Sequence, residues 1–95
     1  MPRAATAIDP GTAIAIGTSW TTVLDADDAA DPAIKFILQN NSSEDIEVAL
    51  DAGADAGLVL VAGPGGGMWE ETDYAGTVVA RHGGTGTHDL VRIIF

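Results

Sequence analysis

The chain has no cysteine. That excludes a disulfide framework, a thiolate metal site and a thiol nucleophile. Basic residues are scarce as well. Arg3, Lys35, Arg81 and Arg92 stand against fourteen acidic residues, and the formal charge is −10. Binding to nucleic-acid phosphates requires Lys and Arg to displace counterions, so no nucleic-acid partner is expected. The same acidity favours solubility and repels anionic membranes. Long apolar runs are missing too. The longest, Leu58 to Ala62, is far short of the roughly 20 residues of a membrane-spanning helix. Met1-Pro2-Arg3 is not followed by an apolar stretch of the kind a secretion signal carries. A protein made and used without secretion is therefore expected.

What remains is a chain of 95 residues, the size of one small domain. Alanine makes up much of its 46% apolar share. Ile, Leu, Val and Phe make up about a quarter of the residues, above the level of a disordered chain. A folded but thin core follows.

The hydrophobic pattern has period two. Phe36 and Leu38 share a face with Ile34, and Ile46 and Val48 share one with Leu50, while Glu47 and Asp51 point away. A strand collects such residues on one side, whereas a helix scatters them. Thr12 to Ile16 reads as a strand with Ile14 and Ile16 inward, as Ala7 would also be. Trp20 to Leu24, Leu58 to Ala62, Met68 to Thr72, Thr77 to Arg81 and Leu90 to Phe95 read as further strands. Gly17-Thr18-Ser19, the acidic stretch 25–32, the polar stretch 40–44, the stretch 51–57, Gly63 to Gly67, the turn 73–76 and Gly83 to Gly86 separate them. The stretches 40–44 and 83–86 are expected to be hairpin loops. Seven or eight short strands with regular turns predict an all-β fold, an antiparallel β-sandwich or jelly roll spanning residues 1–95.

The residues that carry chemistry do not assemble into a known pattern. Gly63 to Gly67 is followed by Met68-Trp69-Glu70-Glu71 rather than by the Gly-Lys-Ser/Thr that opens a phosphate-binding helix. Asp25, Asp27, Asp28 and Asp31 lack the Gly and the closing Glu of a calcium loop. His82, His88 and Asp89 form part of a metal set, with the remaining ligands undefined. Ser19, Ser42 and Ser43 lie outside any nucleophile-elbow pattern. Glu70 and Glu71 alternate across a strand and so cannot act as a close pair. No catalytic residue, metal ligand or cofactor is expected. Trp20 and Trp69 read as core or interface anchors, with carbohydrate stacking, together with Tyr74, as the functional alternative.

One asymmetry bears on assembly. The strands before residue 52 have one polar and one apolar face. The later ones place Val59, Val61, Val79 and Ile94 opposite Leu60, Val78 and Ile93. A sheet with one wet face has no need of apolar residues on both sides. Cover by a loop or by a second subunit is implied. Val59, Val61, Val79, Ile94, Phe95 and Trp69 are the expected interface residues.

The chain resembles small virion proteins of tailed phages and related gene transfer agents. The likeness runs through Gly17-Thr18-Ser19-Trp20-Thr21-Thr22-Val23-Leu24, Phe36-Ile37-Leu38-Gln39-Asn40-Asn41-Ser42 and Ile46-Glu47-Val48-Ala49. It continues through Gly57-Leu58-Val59-Leu60, the Gly-rich loop and Asp73-Tyr74-Ala75-Gly76-Thr77-Val78-Val79-Ala80-Arg81, and ends in Gly84-Thr85-Gly86-Thr87. The resemblance implies a β-sandwich or jelly roll that forms a homo-oligomer on the particle, as a capsid decoration or head-spike base. The implied partners are further copies of itself and the major capsid protein or another virion or spike protein. The implied location is the outer surface of the particle, after synthesis in the bacterial cytoplasm. It implies no catalytic residue. Many such proteins carry an acidic residue after the last strand, whereas here that strand runs to Phe95, which suits a place in an interface. The alternative is a glycan- or host-surface-binding module of a tail or spike.

Overall fold

Alternation of large apolar and polar residues in short segments builds eight strands, separated where Gly, Asn, Asp and Ser interrupt the pattern. The computed structural model describes residues 9–25, 35–50, 53–72 and 77–94. The strands are β1 (Asp9–Ile16), β2 (Thr21–Leu24), β3 (Lys35–Gln39), β4 (Ile46–Ala49), β5 (Leu58–Leu60), β6 (Met68–Thr72), β7 (Val78–His82) and β8 (His88–Ile94). The described residues contain no helix, so no helix there is long and apolar enough to cross a membrane.

The strands form two four-stranded sheets, in the orders β1-β8-β3-β6 and β2-β7-β4-β5. Every pairing is antiparallel. The pairs β1·β8, β2·β7, β3·β6 and β4·β5 are those of one long hairpin folded over on itself, and rolling it up gives two facing sheets. This is the jelly-roll form of the antiparallel β-sandwich. Near its start β1 shifts register between Asp9 and Thr12, and Gly11 lies in that irregularity at φ +148°. Positive φ is ordinary for Gly and uncommon for other residues.

The core lies between the sheets. Ile16, Phe36, Leu38, Leu90 and Ile94 come from the first sheet, and Val23, Leu24, Ile46, Val48, Leu60, Val78 and Ala80 from the second. Phe36 and Leu38 are fully buried, as their spacing predicts. Ala7, Ile34, Tyr74, Phe95 and most of the 25–32 stretch lie outside the described residues.

Three expectations need correction. The stretches 40–44 and 83–86 are not hairpin loops. β3 and β4 lie in different sheets, as do β7 and β8, so both stretches cross from one sheet to the other. Ile94 points inward and is buried, and it is Ile93 that lies on the outer face. Two adjacent isoleucines carry no parity of their own, and the pairing of Ile94 with Phe36 decides it. The strand from Leu58 ends at Leu60 rather than Ala62. The Val61 carbonyl accepts from the Gly67 amide at 2.9 Å, and the Ala62 amide donates to Asp45 Oδ1 at 2.8 Å. Those bonds take the place of further ladder pairing with β4.

Candidate interaction surface

The two sheets leave β5 and β6 as neighbouring free edges on one side of the sandwich, with β1 and β2 on the other. The β5–β6 side carries the exposed large apolar side chains. Leu50, Leu58, Val59, Val61 and Met68 are each 54–59% exposed, and they are all the strongly exposed large hydrophobics of the described residues. By strand parity Val59 lies on the outer side of β5, Met68 on the outer side of β6, and Leu58 at the mouth between the sheets. A shallow groove of about 460 Å³ opens there, lined by Leu50, Ala54, Ala56, Leu58 and Trp69.

Trp69 forms the floor of this region. Its ring meets Phe36 edge-on, with centroids 5.3 Å apart and planes at 86°. Its indole N–H donates to Glu71 Oε1 at 3.3 Å. Trp69 is therefore half in the core and half at the edge.

One wall of the groove is the connection 53–57, fastened across the outer face of the second sheet. Glu47 accepts from the Gly57 amide at 2.8 Å and from Arg81 Nε at 2.7 Å. Arg81 also donates to the Asp55 carbonyl at 3.0 Å. These hydrogen bonds, above all the one from Arg81, hold the Glu47 carboxyl below the usual range for glutamate. The Arg81 guanidinium lies 4.0 Å from the centre of the Trp20 ring, a cation–π contact that occupies one face of that indole.

The six expected interface residues separate on this geometry. Val59 and Val61 are exposed on the β5 side, and Trp69 lines the groove with Leu50 and Leu58. Val79 and Ile94 are corrections, because both are buried within the chain and unavailable to a partner. Val79 pairs with Ala49 on the face where the 53–57 connection is tied down. Its cover comes from this chain, not from a second subunit. Phe95 lies outside the described residues. Leu50, Leu58 and Met68 were not foreseen. Leu58 belonged to a run apolar on both faces, which marked the strand without marking the edge. Leu50 reads as a core residue by its spacing, but it stands beyond the end of β4.

The side chains with chemical potential serve local structure. The His82 and His88 rings meet edge-on, with centroids 4.8 Å apart. His82 is buried rather than solvated. The Gly84 amide donates to its Nδ1 at 3.0 Å, so Nε2 carries the hydrogen and donates to the Gly86 carbonyl at 2.8 Å. Both nitrogens thus hold the 83–87 crossing. Asp89 pairs with Ala15 on the opposite face of β8 from Leu90, so the His82, His88 and Asp89 set is not brought together. No three His, Cys, Asp or Glu side chains among the described residues are placed to share a metal ion. Glu70 and Glu71 point to opposite faces, with Glu70 paired to Lys35 at 3.3 Å.

Asn40 is a structural residue, although its polar surroundings in the sequence suit a loop. It is fully buried. Its amide nitrogen donates to the carbonyls of Glu44 and Leu60, each at 2.7 Å. Its Oδ1 accepts from the Ser42 amide at 2.9 Å and the Ser42 hydroxyl at 2.6 Å. Compared with family profiles, curated proteins and solved structures, the chain matches none.

Proposed function

We propose that this chain is a structural subunit of a phage-like particle, self-associating as a capsid decoration or head-spike base, without catalysis. The carrying observation is the placement of its exposed large hydrophobics. Leu50, Leu58, Val59, Val61 and Met68 all lie on or beside the edge strands β5 and β6, Leu50 and Leu58 in one groove with Trp69, and Val59 and Met68 on the two outer faces. Large apolar side chains concentrated at two exposed edge strands of a small domain are the ordinary mark of a protein contact. Obligate subunit contacts are the most apolar class, which favours a permanent neighbour over a transient one.

The particle assignment draws support from three further features. Jelly rolls are a recurrent fold of capsid subunits, and also of lectins. The resemblance through 17–24, 36–42, 46–49 and 73–81 points to virion proteins. The −10 charge suits an outward-facing position on a shell packed with DNA. Fold alone does not choose among functions. Glycan stacking has less support. One face of Trp20 is taken by Arg81, Trp69 packs on Phe36, and Trp20 precedes β2 of one sheet whereas Trp69 lies in β6 of the other.

Electron microscopy of particles from the producing cells tests the assignment. Density for this chain as an oligomer on the outer surface supports it. Recovery of the chain solely as a particle-free monomer contradicts it.

A further inference from the structure

The stretch 54–57 lies across the outer face of the second sheet, yet apolar burial does little to hold it there. Ala54, Asp55, Ala56 and Gly57 have small side chains or none, and none of the four residues is buried. Segments with so few buried apolar contacts are the ones that open locally ahead of a core. The backbone is nevertheless pressed close to β4. A Cβ at Gly57 would collide with the Val48 carbonyl and crowd the Ala49 side chain. Two charged side chains supply the hold. Glu47 accepts from the Gly57 amide through one carboxylate oxygen and from Arg81 Nε through the other. Arg81 also donates to the Asp55 carbonyl, and its guanidinium rests on the Trp20 ring. Glu44 and Asp45 line the same depression as Glu47, Arg81 and His82, so Arg81 offsets more than one carboxylate there.

We infer that Glu47 and Arg81 are a latch: with it broken, the stretch 54–57 lifts as a strap while the sandwich stays folded, and the apolar groove loses a wall. Ala54, Ala56 and Gly57 line that groove together with Leu50, Leu58 and Trp69. Lifting them leaves an open ledge in place of a groove. The Glu47 carboxyl is held below the usual glutamate range, which keeps the latch ionised. Arg81 acts on the strap mainly through Glu47, because a hydrogen bond between charged groups is stronger than one to a neutral carbonyl. The consequence for association rests on the self-association proposed above: a second copy loses one side of its seat when the strap lifts.

Amide hydrogen exchange at Gly57 tests the latch, because Arg81 is a donor only and cannot bond that amide itself. Arg81→Gln is expected to speed Gly57 exchange about tenfold or more, with the Leu38 and Leu90 amides of the core strands as protected as in wild type. Adding Glu47→Gln to Arg81→Gln is expected to give no further rise, since the two side chains act as one unit. An unchanged Gly57 rate overturns the latch, and so do effects of the two substitutions that multiply. A matching rise at Leu38 and Leu90 overturns opening of the strap by itself. Should Arg81→Gln not fold, Glu47→Gln alone repeats the measurement, with the same rise expected and an unchanged Gly57 rate overturning the latch. The double variant removes one charge of each sign and so keeps the net charge. Its sedimentation beside wild type reads the effect on association. An oligomeric wild type is expected, with the double variant shifted toward the monomer mass. An oligomeric wild type and a double variant that associates equally overturn the link between strap and assembly. A monomeric wild type instead removes the self-association reading, and the exchange result then decides the latch alone.

Discussion

Asn40 shows how much one polar side chain holds here. Its amide satisfies the Glu44 and Leu60 carbonyls, and its oxygen takes two bonds from Ser42. Its own backbone N–H donates to the Gly67 carbonyl at 2.9 Å. The residue thereby ties the first crossing between sheets to β5 and to the Gly-rich loop. Asn40→Asp keeps the shape but sets a carboxylate oxygen against two carbonyls. Each buried group left without its partner costs about 1–3 kcal/mol. Urea unfolding is expected to show a loss in that range or larger, and an unchanged midpoint contradicts the role. Glu47 gives a second prediction at this scale. Its pKa is lowered in the fold by Arg81 and the Gly57 amide. A lowered carboxyl adds stability above its unfolded pKa, and that stability is lost as pH falls through the folded value. Glu47→Gln is therefore expected to flatten the acid limb of a stability-against-pH profile, leaving the neutral-to-alkaline part parallel to wild type.

Among the elements, period-two alternation was legible in the sequence and partnership was not. Phe36 and Leu38 announced an inward face, and so did Ile46 and Val48, because a strand's side chains alternate whatever its neighbour is. Which strand lies alongside is settled by pairing across long stretches of chain, as in β1 with β8. The short polar stretch 40–44 looked like a hairpin for that reason, although it crosses between sheets. Asn40 was hidden by the same logic, since an Asn-Asn-Ser-Ser run reads as solvated turn. The Gly-rich loop was legible as a loop, but its tightness was not. A Cβ at Gly66 would press on the Asn40 and Val61 carbonyls, and one at Gly67 would lie 2.6 Å from the Val61 nitrogen. Gly66→Ala is expected to lower the melting temperature by several degrees, since roughly 1 kcal/mol moves a domain of this size by about 4–8 °C. A loop without such close packing would tolerate the change.

For the whole molecule, charge and hydrophobicity pull against each other. The apolar β5–β6 side favours association, while ten net negative charges per subunit oppose it. The described cations do not offset this at an interface, because each is engaged within the subunit. Lys35 pairs with Glu70, Arg81 with Glu47, and Arg92 with the Val23 carbonyl. Salt weakens the repulsion without weakening the apolar contact. Raising ionic strength from about 0.01 M to about 0.15 M shortens the screening length from roughly 30 Å to about 8 Å. Sedimentation is expected to show association strengthening across that range. Charge attraction between subunits would give the opposite trend.

If the β5–β6 edge joins copies of this chain, as proposed, a charge placed on it abolishes assembly. The most direct test is the solution mass of the wild type beside Val61→Glu, by light scattering at matched concentration and salt. Val61 is 57% exposed, so the substitution leaves the core untouched. Association through this edge gives a wild-type mass at a multiple of 9.7 kDa and a folded variant at 9.7 kDa. A wild type that stays at the monomer mass, or a variant that assembles like it, contradicts the account.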